Sequence, residues 1–174
     1  MTHQADAAAA PAAVTRVTDA AAASGLTIEV HRHPEGARTA ADAARAIGCD
    51  VAQIVKSLIF IADGLPVVAL VSGSNRLDTA RLATALGAEQ VRRADADEAR
   101  AATGYAIGGV PPFGHATALR VLVDRDLTAF DIVHAAAGTP DATFAVAPAD
   151  LVRVSVGEIA DLAERPAGAE PPRR

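Results

Sequence analysis

The stretch Ile54-Val55-Lys56-Ser57-Leu58-Ile59-Phe60-Ile61 constrains the fold more than any other part of the chain. It is rich in β-branched and apolar residues and is stopped by the turn Ala62-Asp63-Gly64, which predicts a buried strand. A second apolar run, Val67 to Val71, begins after Asp63-Gly64-Leu65-Pro66, and two such runs across so short a turn predict an antiparallel hairpin. Inside the first run stands Lys56, the only lysine; the rest of the 16 Lys and Arg residues are arginine. If Lys56 shares a strand face with Leu58 and Phe60, the other face carries Val55, Ser57, Ile59 and Ile61, so its neighbours are apolar either way. Burying an ammonium is costly unless it finds a partner, loses its proton or reaches out to water. Lys56 therefore has either a structural reason, as a snorkelling side chain or buried ion pair, or a functional one.

At 174 residues the chain suits one domain with a real core. Apolar residues make up 51%, much of it alanine, and aromatics only 3%, so Val, Ile, Leu and Ala must build that core. No apolar run approaches the roughly 18 residues of a membrane helix. Residues 1–12 are alanine-rich with His3, Gln4 and Asp6 and no basic start, which reads as a disordered leader, not a signal peptide. The folded domain is expected over 13–164, and the proline-containing segment 165–174 as a disordered tail. A single cysteine, Cys49, excludes an internal disulfide and fits a cytoplasmic protein; directly after Gly48 it reads as an inert small residue. The net charge of −5 gives no global basic footprint, so any nucleic-acid contact is local.

Taken in order, the chain predicts a helix from Pro11 to Ser24, a strand over Leu26–His31 and a helix from Thr39 to Ile47, opened by Thr39 with Asp42 and closed by Gly48. After the hairpin, Asp78 caps a helix ending at Gly87, Gln90–Arg93 form a short strand or turn, and a helix runs from Asp95 to Ala102. Val121–Asp124 and Ile132–Ala135 read as strands around a turn at Arg125-Asp126, and Thr143–Val146 as another after the turn Gly138-Thr139-Pro140-Asp141. Pro148 opens a short helix to Leu151, Val152–Val156 reads as a last strand and Glu158–Glu164 as a terminal helix. The strands outnumber a regular β-α-β alternation, and several are joined as hairpins. The expected class is α/β of the α+β type: a curved, mixed but mostly antiparallel sheet, open or barrel-like, with three or four helices packed outside.

Between Gly104 and His115 lie four glycines and two prolines in twelve residues, which form no regular element and leave backbone amides free to meet a ligand. No phosphate-binding loop and no Gly-x-Ser-x-Gly elbow occurs. His31 and His33 could share a strand face, but no Cys or carboxylate stands at a ligand spacing beside them, and no metal is expected.

Together, "IVKSLIF", "VSGSNRLDTARLATALGAEQV", "TGYAIGGVPPFGH", "VLVD" and "AAGTPDATFAVAPADLVRV" resemble, in this order, the YbaK/prolyl-tRNA synthetase-associated domain family of aminoacyl-tRNA deacylases. The resemblance runs from about Leu26 to Ala163. It implies a mixed-sheet α/β fold that hydrolyses the ester between a wrong amino acid and tRNA, in trans to a synthetase, without metal or organic cofactor. It implies Lys56 as the essential residue, followed by a small hydroxyl residue, here Ser57. It implies a pocket for the aminoacyl end walled by Gly108, Gly109, Phe113 and Gly114 and closed by the loop at Gly138. Thr39, Ser57, Thr139, Asp141 and Thr143 are candidates for its lining, each with an ordinary reading as a cap or turn residue. Cysteinyl-specific members carry a serine where this chain has Ala135-Ala136-Ala137, and alanyl-specific members a histidine near Thr139-Pro140-Asp141, so Cys, Ala and Ser esters, on proline tRNA first, all stay open. Arg76, Arg81, Arg92, Arg93 and Arg100 are the cations available to the tRNA body, offset by nearby Asp and Glu. A non-catalytic tRNA- or synthetase-binding module is the alternative; a Schiff-base enzyme built on Lys56 lacks any sign of an electron sink.

Overall fold

The computed structural model describes residues 3–168, with side chains from residue 12 onward. The chain begins with helix α1 (His3–Ala23) and strand β1 (Val30–Arg32), then α2 (Ala40–Ile47) and the hairpin β2 (Val55–Ala62) and β3 (Leu65–Ser72). It continues through α3 (Thr79–Leu86), β4 (Val91–Arg93), α4 (Ala96–Thr103), β5 (Arg120–Asp124), β6 (Val133–Ala136) and β7 (Ala142–Val146), and ends with α5 (Pro148–Ser155) and β8 (Glu158–Ala160).

The hairpin is the centre of a five-stranded sheet, β4-β2-β3-β5-β8, with Lys56 opposite Val71 in its register. A second sheet, β1-β7-β6, is wholly antiparallel, so four of the six strand pairings are antiparallel. The two sheets meet at a single parallel bridge between Ile54 and His134, and the barrel-like alternative is not realised because the sheets do not close.

Alternation along β3 explains why the central sheet is covered twice. Val68 and Leu70 face the larger core with Val17 and Ala21 of α1, Phe144 of β7 and Leu151 of α5. Val67, Ala69 and Val71 face a second cluster with Leu82 of α3, Leu122 and Leu162. Each fully buried Leu contributes about 2–3 kcal/mol through its apolar area.

Local grammar sets most helix ends. Thr39 with Asp42 and Asp95 with Glu98 form capping boxes, Asp78 caps α3, and Gly48, Gly87 and Gly104 stop α2, α3 and α4 in the left-handed conformation. Five α-helices form among the described residues.

Elsewhere the structure departs from the sequence-based expectation. The backbone of α1 is helical from His3, within the segment read as a leader; Met1 and Thr2 lie outside the described residues. Most of the expected tail also lies outside them, but its first residue, Arg165, is ion-paired with Asp126 and Asp161. The first strand is shortened to Val30–Arg32. β5 and β6 are not hairpin partners: a 3-10 turn over Arg125–Ala129 separates them, and they belong to different sheets.

Of the segment read as a last strand, Val152–Val156, the residues up to Ser155 are the second half of α5. Pro148 sets the helix start, and Leu151, Val154 and Ser155 are buried, which outweighs the β-preference of the valines. Val156 ends that helix at φ 52°. Glu158–Ala160, read as helix, is β8 instead, because the parallel edge of β5 recruits it and Arg120 pairs with Glu158 at 2.8 Å.

Candidate active site

A cleft of about 290 Å³ opens where the two sheets meet. Gly73 makes this possible: a Cβ there would lie 2.3 Å from the Val51 carbonyl oxygen, and its N–H donates to the Ile54 oxygen. The end of β3 is thereby drawn against the start of β2. Lys56, Ser57 and Leu58 form the cleft floor, Arg38, Thr39 and Ala40 one wall, Ile107, Gly108 and Val110 another, and His134, Pro140 and Thr143 the far side, with Arg93 at the margin.

Lys56 is half-buried, and its Nζ donates to the Asn75 carbonyl at 2.5 Å. No carboxylate lies within ion-pair distance of it among the described residues, so it is neither a simple buried salt bridge nor a free surface cation. Burial pushes its pKa down, Arg93 adds to that, and the buried Asp124 carboxylate opposes both. An ammonium carries three N–H donors, so two stay available beyond the Asn75 contact.

Ser57 Oγ is buried and has no hydrogen-bond partner among the described residues. Such orphaned groups are rare and costly in a folded protein. Ser57→Ala is therefore expected to leave thermal stability unchanged or raise it, by up to about 1 kcal/mol, since an unmade hydrogen bond is removed. A melting temperature clearly below that of the wild type would show that the hydroxyl is already satisfied in the free protein.

The other sequence-predicted residues divide by position. Thr39 and Gly108 line the cleft; Thr39 also accepts the Asp42 N–H at 3.1 Å, so lining and capping coexist. Gly109 stands behind the wall, where a Cβ would meet Thr139 Cα at 2.7 Å. Phe113 is core, packed on Phe144 with ring centroids 5.5 Å apart. Gly114 accepts the Tyr105 hydroxyl at 2.9 Å, and a Cβ on it would press on Ala20 of α1. Gly138, at φ 104°, leans on the backbone of Ala13. Thr139 and Asp141 clamp the β6–β7 turn, bonded to each other at 2.6 Å and to Arg32, while Pro140 between them reaches the cleft. Thr143 lines the cleft with its Oγ1 on His33 Nε2 at 2.8 Å.

Arg38, His134, Ile107 and Pro140 were not singled out in the sequence as lining residues, and Arg93 only as a general surface cation. No local pattern marks them, because four separate segments bring them together. Arg38 and Arg93 have no ion-pair partner among the described residues, and the cleft is lined by no Asp or Glu. In a chain of net charge −5 this is a locally positive hollow. No three His, Cys, Asp or Glu side chains converge as metal ligands among the described residues.

The glycine loop is held from within. His115 Nε2 donates to the Pro111 carbonyl at 2.7 Å; burial pushes the ring's pKa below the ordinary 6.5, and this bond, which favours the charged ring, opposes it only in part. As pH falls below 6.5 the unfolded chain takes up this proton first, so stability is full above that pH and lost on the way down to the folded-state pKa. His134 is shifted in the same direction, by burial and then by His31. Urea midpoints are expected to be lower near pH 5 than near pH 7, and His115→Gln to narrow that gap. An undiminished gap in the variant would rule His115 out as its source.

An open mixed-sheet α/β fold thus frames a positively charged cleft that holds the chain's one lysine and two arginines without ion-pair partners among the described residues. Residues 34–154 match the family model of the aminoacyl-tRNA editing domain, and the chain belongs to that family. It is 36% identical over 92 residues to the proline–tRNA ligase of Nitratidesulfovibrio vulgaris strain DP4, and 32% identical over 127 residues to that of Streptococcus pyogenes serotype M5 strain Manfredo. Those matches cover 53% and 73% of this chain but only 16% and 20% of the ligases. Among solved structures, that of a candidate trans-editing enzyme for prolyl-tRNA synthetase superposes with a TM-score of 0.84 at 42% identity, covering 88% of this chain and 98% of that one.

Proposed function

We propose that this chain is a trans-editing deacylase that hydrolyses the ester of a mischarged tRNA, with a small neutral amino acid on proline tRNA as its substrate class. The observation that carries this reading is the Lys56 ammonium at the floor of a positive cleft lined by no carboxylate. Arg38 and Arg93 suit the phosphates of the acceptor end, and the alanine-rich wall (Ala37, Ala40, Ala43, Ala135, Ala136, Ala142) suits a small side chain that brings no charge of its own. The relatives' association with proline–tRNA ligases motivates the choice of tRNA and of a synthetase as working partner.

In the proposed reaction, water adds to the ester carbonyl carbon, and negative charge develops on the carbonyl oxygen. The two N–H groups of Lys56 not used by Asn75 stabilise that oxyanion, and the negative charge of Asp124 favours the ammonium against the burial that opposes it. The bond to the ribose oxygen then breaks, the terminal hydroxyl leaves with a proton, and the amino acid departs as its carboxylate. No side-chain base is required if the adjacent ribose hydroxyl carries the proton.

The test is deacylation of a panel of mischarged proline tRNAs bearing Ala, Ser and Cys, read against spontaneous hydrolysis. Hydrolysis of at least one member is expected. If none is hydrolysed while the tRNA is still bound, the chain is a binding module of this fold and the deacylase reading falls.

A further inference from the structure

Lys56 is held by a residue that does not line the cleft and has been given no role above. Asn75, in the loop between β3 and α3, presents its backbone carbonyl to Lys56 Nζ. Its side-chain Nδ2 donates both hydrogens, one to Asp124 Oδ2 at 2.8 Å and the other to Asp126 Oδ2 at 2.7 Å. Each of those carboxylates is fixed in turn. Asp124 is fully buried and accepts the N–H groups of Ser72 and Asp126, both at 3.1 Å. Asp126 gives its other oxygen to Arg165 at 3.0 Å, and Arg165 is anchored by Asp161, which also takes Arg81 at 2.7 Å. A two-hydrogen clamp between two immobilised acceptors leaves Asn75 little rotational freedom, so its carbonyl is a fixed point.

We propose that Asn75 is a positioning residue for Lys56: clamped between Asp124 and Asp126, it holds the carbonyl that takes one ammonium hydrogen and so turns the other two into the cleft. A lysine has four rotatable side-chain bonds, and tethering its tip removes most of that freedom before substrate arrives. The Asp124 carboxylate, one residue removed, also favours the charged form of Lys56 against the burial that opposes it. The catalytic consequence rests on the deacylase reading above; the tether itself does not.

Because Lys56 is the only lysine in the chain, lysine-selective isotope labelling gives a single side-chain signal, readable without any assay of activity. In Asn75→Ala that signal is expected to shift and sharpen toward that of a mobile lysine, and kcat to fall about ten- to a hundredfold with KM within about twofold of wild type. Asp126→Asn, a smaller perturbation, is expected to move both readouts in the same direction, and it serves if Asn75→Ala does not fold. A wild-type lysine signal in the folded variants overturns the proposal, as does a shifted signal with unchanged kcat. If the wild-type protein hydrolyses no aminoacyl-tRNA, the deacylase reading falls, and the lysine signal alone then supports or overturns the tether.

Discussion

Lys56→Ala is expected to lose about a hundred- to a thousandfold in deacylation of whichever mischarged tRNA the wild type hydrolyses, the loss typical of removing one donor to a developing oxyanion. Lys56→Arg is expected to recover little of it. The guanidinium is a rigid fork, and the Asn75 carbonyl accepts from a compact ammonium at the end of a defined reach. The pH dependence separates the two roles open to this residue. With the ammonium as the working form, the enzymatic rate corrected for spontaneous hydrolysis falls on the alkaline side, as pH passes through the Lys56 pKa that burial has lowered. With a neutral amine acting as base, the same limb rises instead. Activity that survives in Lys56→Ala would remove the residue from the reaction altogether.

The second large effect is one of architecture. Gly138→Ala is expected to destabilise the fold by about 4 kcal/mol, combining a backbone conformation L-residues rarely adopt with overpacking. At φ 104°, its added Cβ would lie 2.8 Å from both the carbonyl carbon and the oxygen of Ala13, and a helix backbone cannot give way as a side-chain tip can. The strain falls on α1, whose Val17 and Ala21 fill the larger core, and on the turn that sets Pro140 in the cleft. The measurement is a urea midpoint. A variant within about 1 kcal/mol of wild type would mean that α1 is free to lift off.

Where structure follows from neighbours in sequence, it was legible. Thr39 with Asp42, Asp78, and Asp95 with Glu98 announced helix starts, and Gly48, Gly87 and Gly104 their ends. The hairpin followed from two apolar runs and one tight turn. What escaped was decided at a distance. Glu158–Ala160 is extended because β5 has a free parallel edge, and residues 152–155 are helical because one of their faces is buried. The division into two sheets turns on β5 and β6, neighbours in sequence whose partners, β3 and β7, lie in different layers.

The candidate site shows the same divide. Lys56, Ser57, Thr39 and Gly108 could be named from strand and loop composition or from the resemblance, and they stand at the cleft. Gly109, Phe113, Gly114 and Gly138 shape it from behind, through close backbone approaches and core packing, and Thr139 and Asp141 stiffen its far turn. Arg38, Arg93 and His134 carry no local signature. Neither does Asn75, whose part depends on two carboxylates about fifty residues later in the chain.

The short outer strands bear on the protein's behaviour in a crowded cell. An exposed strand edge is a template on which another chain can pair and aggregate. Here three of the four sheet ends, β1, β4 and β8, are three residues long and the fourth, β6, is four, with Arg32, Arg92, Arg93 and Glu158 among them, and Glu158 is further occupied by Arg120. A foreign strand would find too few free amides for a stable ladder and would have to bury charge to use them. The apolar end of β2, Phe60–Ala62, is paired on both sides, by β4 and β3, and is shielded from such contact for as long as the fold holds.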